Sequence, residues 1–231
     1  MANTSTSLSD VRSFRGWIIA YAFLLGCLSA WVLAAEAVRP PVVGLTTDPQ
    51  ATALGYQHRG AAVTAARIGH MRGDLWSEAA FAYGNLLWSQ DQTALNELGL
   101  SFDQTQSLTQ RAIAYAPHDS RLWLLLSAYY FRFGSSDEKM AAALKMSYYT
   151  GLNTISIIAE RLLLATQSRA LDDEEFKELV RHDIRIAAVR QPEFMPALMA
   201  AYRNAPRSGR EFIEKSLAEI DPSLLASVRA H

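Results

Sequence analysis

Apolar residues follow two regimes along this chain. From Trp17 to Ala35 they run without one charged residue, as WIIAYAFLLGCLSAWVLAA, between Arg12 and Arg15 on one side and Glu36 and Arg39 on the other. From about residue 57 onward they recur at helical spacing, broken by Gly, Pro, Ser and Asp, and no stretch sustains the alternation of a strand. The 19 residues of the first run would reach about 28 Å as a helix, close to the hydrocarbon thickness of a bilayer.

The first run therefore reads as a membrane segment. The basic flank at Arg12 and Arg15 predicts a cytoplasmic tail over 1–16, a transmembrane signal anchor over 17–38, and everything later across the membrane. For a bacterium this means the inner membrane, with the C-terminal domain in the periplasm. Two other readings stay open. Ala35-Glu36-Ala37 is a small-x-small site at which a signal peptide could be cleaved. Leu24-Leu25-Gly26-Cys27 resembles a lipobox, although eight further uncharged residues follow Cys27. All three readings export the remainder. Ala22, Gly26, Ala30 and Ala34 recur every four residues. Such small-residue stripes let two membrane helices approach closely, so a helix–helix contact, including one between copies of this chain, is a candidate use.

Residues 39–55 carry Pro40, Pro41 and Pro49 and show no helical period, which predicts a partly extended linker over 39–56 that holds the domain off the membrane. The segment 57–231 then reads as an all-α domain. Helices are expected over 57–71, 74–90, 103–116, 120–133, 137–149, 153–168, 173–190, 195–204, 208–219 and 222–229. The expected punctuation is Gly73-Asp74, Asp119, Gly134-Ser135-Ser136, Gly151, Asp172, Gln191-Pro192, Pro206 and Asp221-Pro222, since Asp and Ser cap helix starts and Gly and Pro stop helices. Short connections imply antiparallel neighbours.

Composition narrows the chemistry. Half of the 231 residues are hydrophobic, and 22 Lys+Arg stand against 23 Asp+Glu. That near-neutral balance gives no electrostatic reason to bind nucleic acid. A single cysteine excludes an internal disulfide framework and a cysteine-based metal cluster. No phosphate-binding loop, nucleophile elbow or zinc-protease signature occurs, and the five histidines are scattered. His182 and Asp183, adjacent on a helix, point to different sides. The acidic run Asp172–Glu175 precedes an apolar helical pattern, so it reads as a helix N-terminus rather than a calcium loop. No catalytic residue, metal or cofactor is expected.

A repeat period adds a resemblance. Counting Ser120 as the first position of a unit, Trp123 falls at 4, Leu126 at 7, Tyr130 at 11, Ala143 at 24 and Gly151 at 32. Shifting back 34 residues puts Ala112 at 27 and Pro117 at 32, and Trp76 with Tyr83 repeats the Trp123–Tyr130 spacing 47 residues upstream. These positions resemble the tetratricopeptide (TPR-like) helical-hairpin family. Ser127 and Lys139 depart from its pattern, and residues 154–231 match no unit. The chain as a whole looks like membrane-anchored TPR-like proteins of alphaproteobacteria, some tied to surface polysaccharide.

The resemblance implies a solenoid-like array in which Trp76, Phe81, Trp123, Tyr130 and Phe133 mostly pack between helices. It also implies that the first helix of a hairpin lines a concave groove, here with Arg121, Leu124, Ala128 and Phe131, and Arg132 beside them. One member each of Tyr129–Tyr130 and Tyr148–Tyr149 is expected to point outward. A cation at each end of an apolar strip suits an acidic or carboxylate-ended peptide. The expected function is an interaction module for another envelope or membrane protein, serving cell-envelope or surface-polysaccharide assembly or export. The alternative is an accessory subunit held in an integral membrane complex through its transmembrane helix. An enzyme is the weakest of the three readings.

Overall fold

A computed structural model describes residues 8–89, 102–134, 136–190 and 192–229, and these form helices and turns with no strand. The described α-helices are α1 (Leu8–Val38), α2 (Pro49–Gln57), α3 (Arg59–Ile68), α4 (Gly73–Gly84), α5 (Leu86–Ser89), α6 (Phe102–Tyr115) and α7 (Ser120–Phe133). They continue with α8 (Asp137–Thr150), α9 (Ile158–Gln167), α10 (Glu174–Arg185), α11 (Met195–Asn204), α12 (Arg207–Ile220) and α13 (Pro222–Arg229).

Local chemistry sets most boundaries. The Asp119 carboxylate accepts from the Arg121 N–H at the start of α7. Gly134 ends that helix in the left-handed region, at φ 61°, where a side chain would be strained. The Ser136 hydroxyl accepts from Lys139 N–H at the start of α8. Asp173, one residue beyond the expected Asp172, caps α10 by accepting from the Glu175 and Phe176 N–H groups. The end of α10 runs on as a π-turn over Ile186–Arg190. The punctuation expected at Ser135 and Gln191 lies outside the described residues.

The hairpin of α7 and α8 is the best-formed unit, two 14-residue helices. Leu122, Leu124, Leu125 and Tyr129 of α7 are completely buried, as are Leu144 and Tyr148 of α8. Ser127, at a position where a smaller residue is expected, is also fully buried, and its hydroxyl is satisfied by the Leu124 carbonyl at 2.7 Å. On one side α4 crosses α7 so closely that a Cβ at Gly84 would sit 2.4 Å from the Leu125 side chain. On the far side α9 packs chiefly on α11, and α12 approaches α9 until a Cβ on Gly209 would meet the Thr166 carbonyl oxygen at 2.1 Å. The core is continuous from Ala62 of α3 to Val228 of α13.

The expected linker over 39–56 packs on the domain. Asp48 caps a helix begun by Pro49, so the second half of the expected linker is α2. The first half lies along α4: the Asn85 amide donates to the Gly44 carbonyl at 2.9 Å, and Thr46 N–H donates to the Asn85 side-chain oxygen at 3.2 Å. Remote hydrogen bonds, invisible in a local pattern, hold this strap down.

Candidate functional site

Helix α1 is long and apolar enough to cross a membrane. Between Phe14 and Val38 only Ala35 is buried, and Trp17, Phe23 and Leu33 are each about two-thirds exposed or more. A core helix of a water-soluble domain would not leave that surface uncovered. Ala22, Gly26, Ala30 and Ala34 are all exposed, and nothing lies within 4 Å of a Cβ built on Gly26. Arg12 has no described side chain.

The last turns of α1 are fastened to the domain. The Trp31 indole N–H donates to the Ile68 carbonyl at 2.6 Å, and Ala35 is fully buried against α3. Above them sits a charged collar. Arg72 bridges Glu36 and Asp74, while Arg39 bonds Glu36 and Glu78. The Arg72 guanidinium holds the Asp74 carboxyl below its usual range.

The expected groove on α7 divides in two. Leu124 and Ala128 are 0% and 2% exposed, because α4 and α9 cover the middle of the helix; as free surface those two positions are corrected to core. Arg121 at one end is held by Asp119 at 2.7 Å and lies over the Phe81 ring, 5.2 Å from its centroid. At the other end Phe131 is 40% exposed, and the Arg132 Nε–H donates to the Leu87 carbonyl at 2.9 Å. Phe131, Arg132 and the edge of Ala128 line a depression of about 250 Å³ with Leu87, Trp88, Leu163, Leu164, Gln167 and Asn204. The Trp88 indole N–H is buried and meets no acceptor among the described residues. The arrangement suits an apolar side chain with a carbonyl or carboxylate beside it.

Of the expected packing aromatics, Trp76, Phe81 and Tyr130 are buried, and Trp123 and Phe133 are partly covered. Tyr149 points outward at 53% exposure while Tyr148 is fully buried. In the other tandem pair Tyr129 and Tyr130 are both buried, since α7 is covered on more than one side.

Sequence reasoning missed an Arg–Asp pair in the core. Arg161 of α9 and Asp183 of α10 are both 0% exposed and 3.0 Å apart. Arg161 also donates to the Gly151 and Leu152 carbonyls and lies 4.4 Å from the Tyr148 ring centroid. Burial pushes the Asp183 carboxyl up to about 7 against the pull of Arg161. The signal was present in spacing: Asp183 lies three residues after Val180 and seven after Phe176, on the buried face of α10. His182 beside it instead meets Asn153 at 3.2 Å. Asp173 caps α10 and pairs with Lys145. Among the described residues no group of three or more His, Cys, Asp or Glu side chains could hold a metal ion.

A larger cleft, about 540 Å³, lies between α10 and α12, with Arg169, Lys177, Arg181 and Lys215 facing Asp172, Glu174 and Glu211. Both signs line it, so it presents no one-sided field. Comparisons of the chain with family models, curated proteins and solved structures found no match.

Proposed function

We propose that this chain is a single-pass, membrane-anchored interaction module of TPR-like helical hairpins, with its domain on the periplasmic face of a bacterial inner membrane. The carrying observation is α1, which keeps its apolar surface uncovered along its length while its last turns grip the domain. Exposed apolar area of that extent favours hydrocarbon over water by about 25 cal/mol per Å². The partner site is the depression at Phe131, Arg132 and Trp88, which would take an apolar, carboxylate-bearing segment of another envelope protein, in keeping with a role in envelope or surface-polysaccharide assembly. A binding reading is preferred to an enzymatic one because these groups recognise rather than react.

The accessory-subunit reading stands second. It is favoured by the stripe Ala22, Gly26, Ala30 and Ala34, which the domain leaves exposed because it docks on Trp31 and Ala35, about 100° around the helix from Ala30 and Ala34. A photocrosslinking residue at Phe131, in native membranes, separates the two. The module reading expects a discrete adduct that Arg132→Glu abolishes and Gly26→Leu leaves intact. Loss with Gly26→Leu, and indifference to Arg132→Glu, would move the function into the membrane helix. Topology has its own check: alkaline phosphatase fused after Arg39 should be active, and an inactive fusion there would refute export.

A further inference from the structure

The turn between α3 and α4 is tied to α1 at two heights. The Ile68 carbonyl, at the end of α3, accepts the Trp31 indole N–H at 2.6 Å, and Arg72, at the end of the turn, pairs with Glu36 at 2.5 Å. Trp31 and Glu36 are five residues apart, so these ties are separated by about 7 Å along the helix axis. Glu36 and Arg39 form the first charged level after the apolar run. If α1 spans a bilayer, hydrocarbon must end below that collar, and Trp31 lies in the boundary layer where tryptophan rings collect. Gly69, His70 and Met71 hang between the two ties. Met71 is 76% exposed, among the most exposed large apolar side chains in the domain. Tyr115 is 37% exposed, with its hydroxyl 3.1 Å from the imidazole of His70, the residue before Met71. Arg67, one residue before Ile68, is exposed and meets no carboxylate among the described residues.

We infer that this turn is a lipid-contact surface, with Met71 inserted at the headgroup–acyl boundary, Tyr115 at headgroup level, and Arg67 free for lipid phosphate. The bilayer is the occupant because the turn is rigidly bonded to the helix that enters it. The domain consequently meets the membrane through this turn instead of swinging on a linker. This rests on the membrane reading of α1 but goes beyond it, since an anchor alone requires no contact between domain and lipid.

Spin labels on the full-length chain test it, with Cys27→Ser as background and vesicles of phosphatidylethanolamine and phosphatidylglycerol. Single cysteines at Leu25, Met71 and Ser208 report mid-span, turn and a distant exposed site. The expected result is a ratio of oxygen to nickel-chelate collisions at Met71 several-fold above Ser208 and below Leu25. Adding Trp31→Phe, which removes the indole donor, should lower the Met71 ratio toward that of Ser208 while leaving Leu25 unchanged. A Met71 ratio equal to Ser208 with a lipid-like Leu25 overturns the inference and spares the anchor. A water-like Leu25 overturns both.

Discussion

Helices α4 and α7 start from the same local pattern and end with different surroundings. Each carries Trp at its fourth residue and Tyr seven later, and each indole N–H donates to the carbonyl six residues back: Trp76 to His70 at 2.9 Å, Trp123 to Pro117 at 2.8 Å. Tyr83 and Tyr130 are equally buried, at 9%. Yet Trp76 is 2% exposed, and Trp123 is only partly covered. The difference comes from α6. It lays the Tyr115 ring parallel to Trp76, at 6.0 Å, and the Arg111 guanidinium over it, at 5.1 Å. A local motif can fix the direction of a side chain and the fate of its N–H group. How much water it loses depends on an element distant in sequence.

Breaking the covered member should have the larger effect. Trp76→Ala removes a fully buried aromatic and should cost about 3–5 kcal/mol, enough to unfold a domain of ordinary marginal stability. Urea titration of the detergent-solubilised full chain gives the number. A cost below that of Trp123→Ala would reverse the ranking drawn from their burial.

The contrast also shows what could be read in the sequence. Asp119, Gly134 and the Trp123–Tyr130 spacing defined the α7–α8 hairpin because capping and left-handed termination act within a few residues. The strap over 39–48 was not legible, since Asn85 and Glu78 hold it from more than 35 residues away. The groove was half legible. Phe131 and Arg132 stay accessible as expected, whereas Leu124 and Ala128 vanish under helices whose approach depends on Gly84 and on the placement of α9. An amphipathic pattern tells which face is apolar, not how many neighbours will cover it.

The two helices are also backed differently, and pH should expose this. Behind α4 stands an aromatic stack; behind α7 and α8 stands Tyr148 against Arg161 and Asp183. The native Asp183 carboxyl keeps its proton to about pH 7, above its ordinary 3.8. Unfolding therefore releases a proton between those values, and this contribution to stability falls as pH rises through that window, by at most about 4 kcal/mol. Burial raises Glu160 of α9 as well, which acts in the same direction. Carboxyls held low, such as Asp74 and Asp173, act only below the usual carboxylate range. Melting temperature should drop from pH 5 to pH 7.5, and Asp183→Asn should flatten the drop. An unchanged slope in that variant would exclude Asp183 as its source.

The half-covered tryptophan comes next. Trp123→Ala loses less buried area and should cost about 1–2 kcal/mol, in proportion to the apolar surface withdrawn from water. The Pro117 carbonyl it frees can turn to solvent, because the present bond lies at the surface. A cost equal to that of Trp76→Ala would mean that something beyond the described packing covers this ring.

The smallest effect isolates the cover itself. Arg111 is exposed and pairs with no carboxylate among the described residues, so its contact with Trp76 is its main packing role there. Such a cation over an aromatic face is worth about 0.5–1 kcal/mol at an exposed site. Arg111→Ala should therefore cost that much in wild type and almost nothing once Trp76 is already alanine, because the partner is gone. A double-mutant cycle measures the difference directly. Coupling near zero would leave the burial of Trp76 to the Tyr115 ring alone. Coupling of the expected size would make α6, through one ring and one cation, the element that distinguishes two otherwise matching helices.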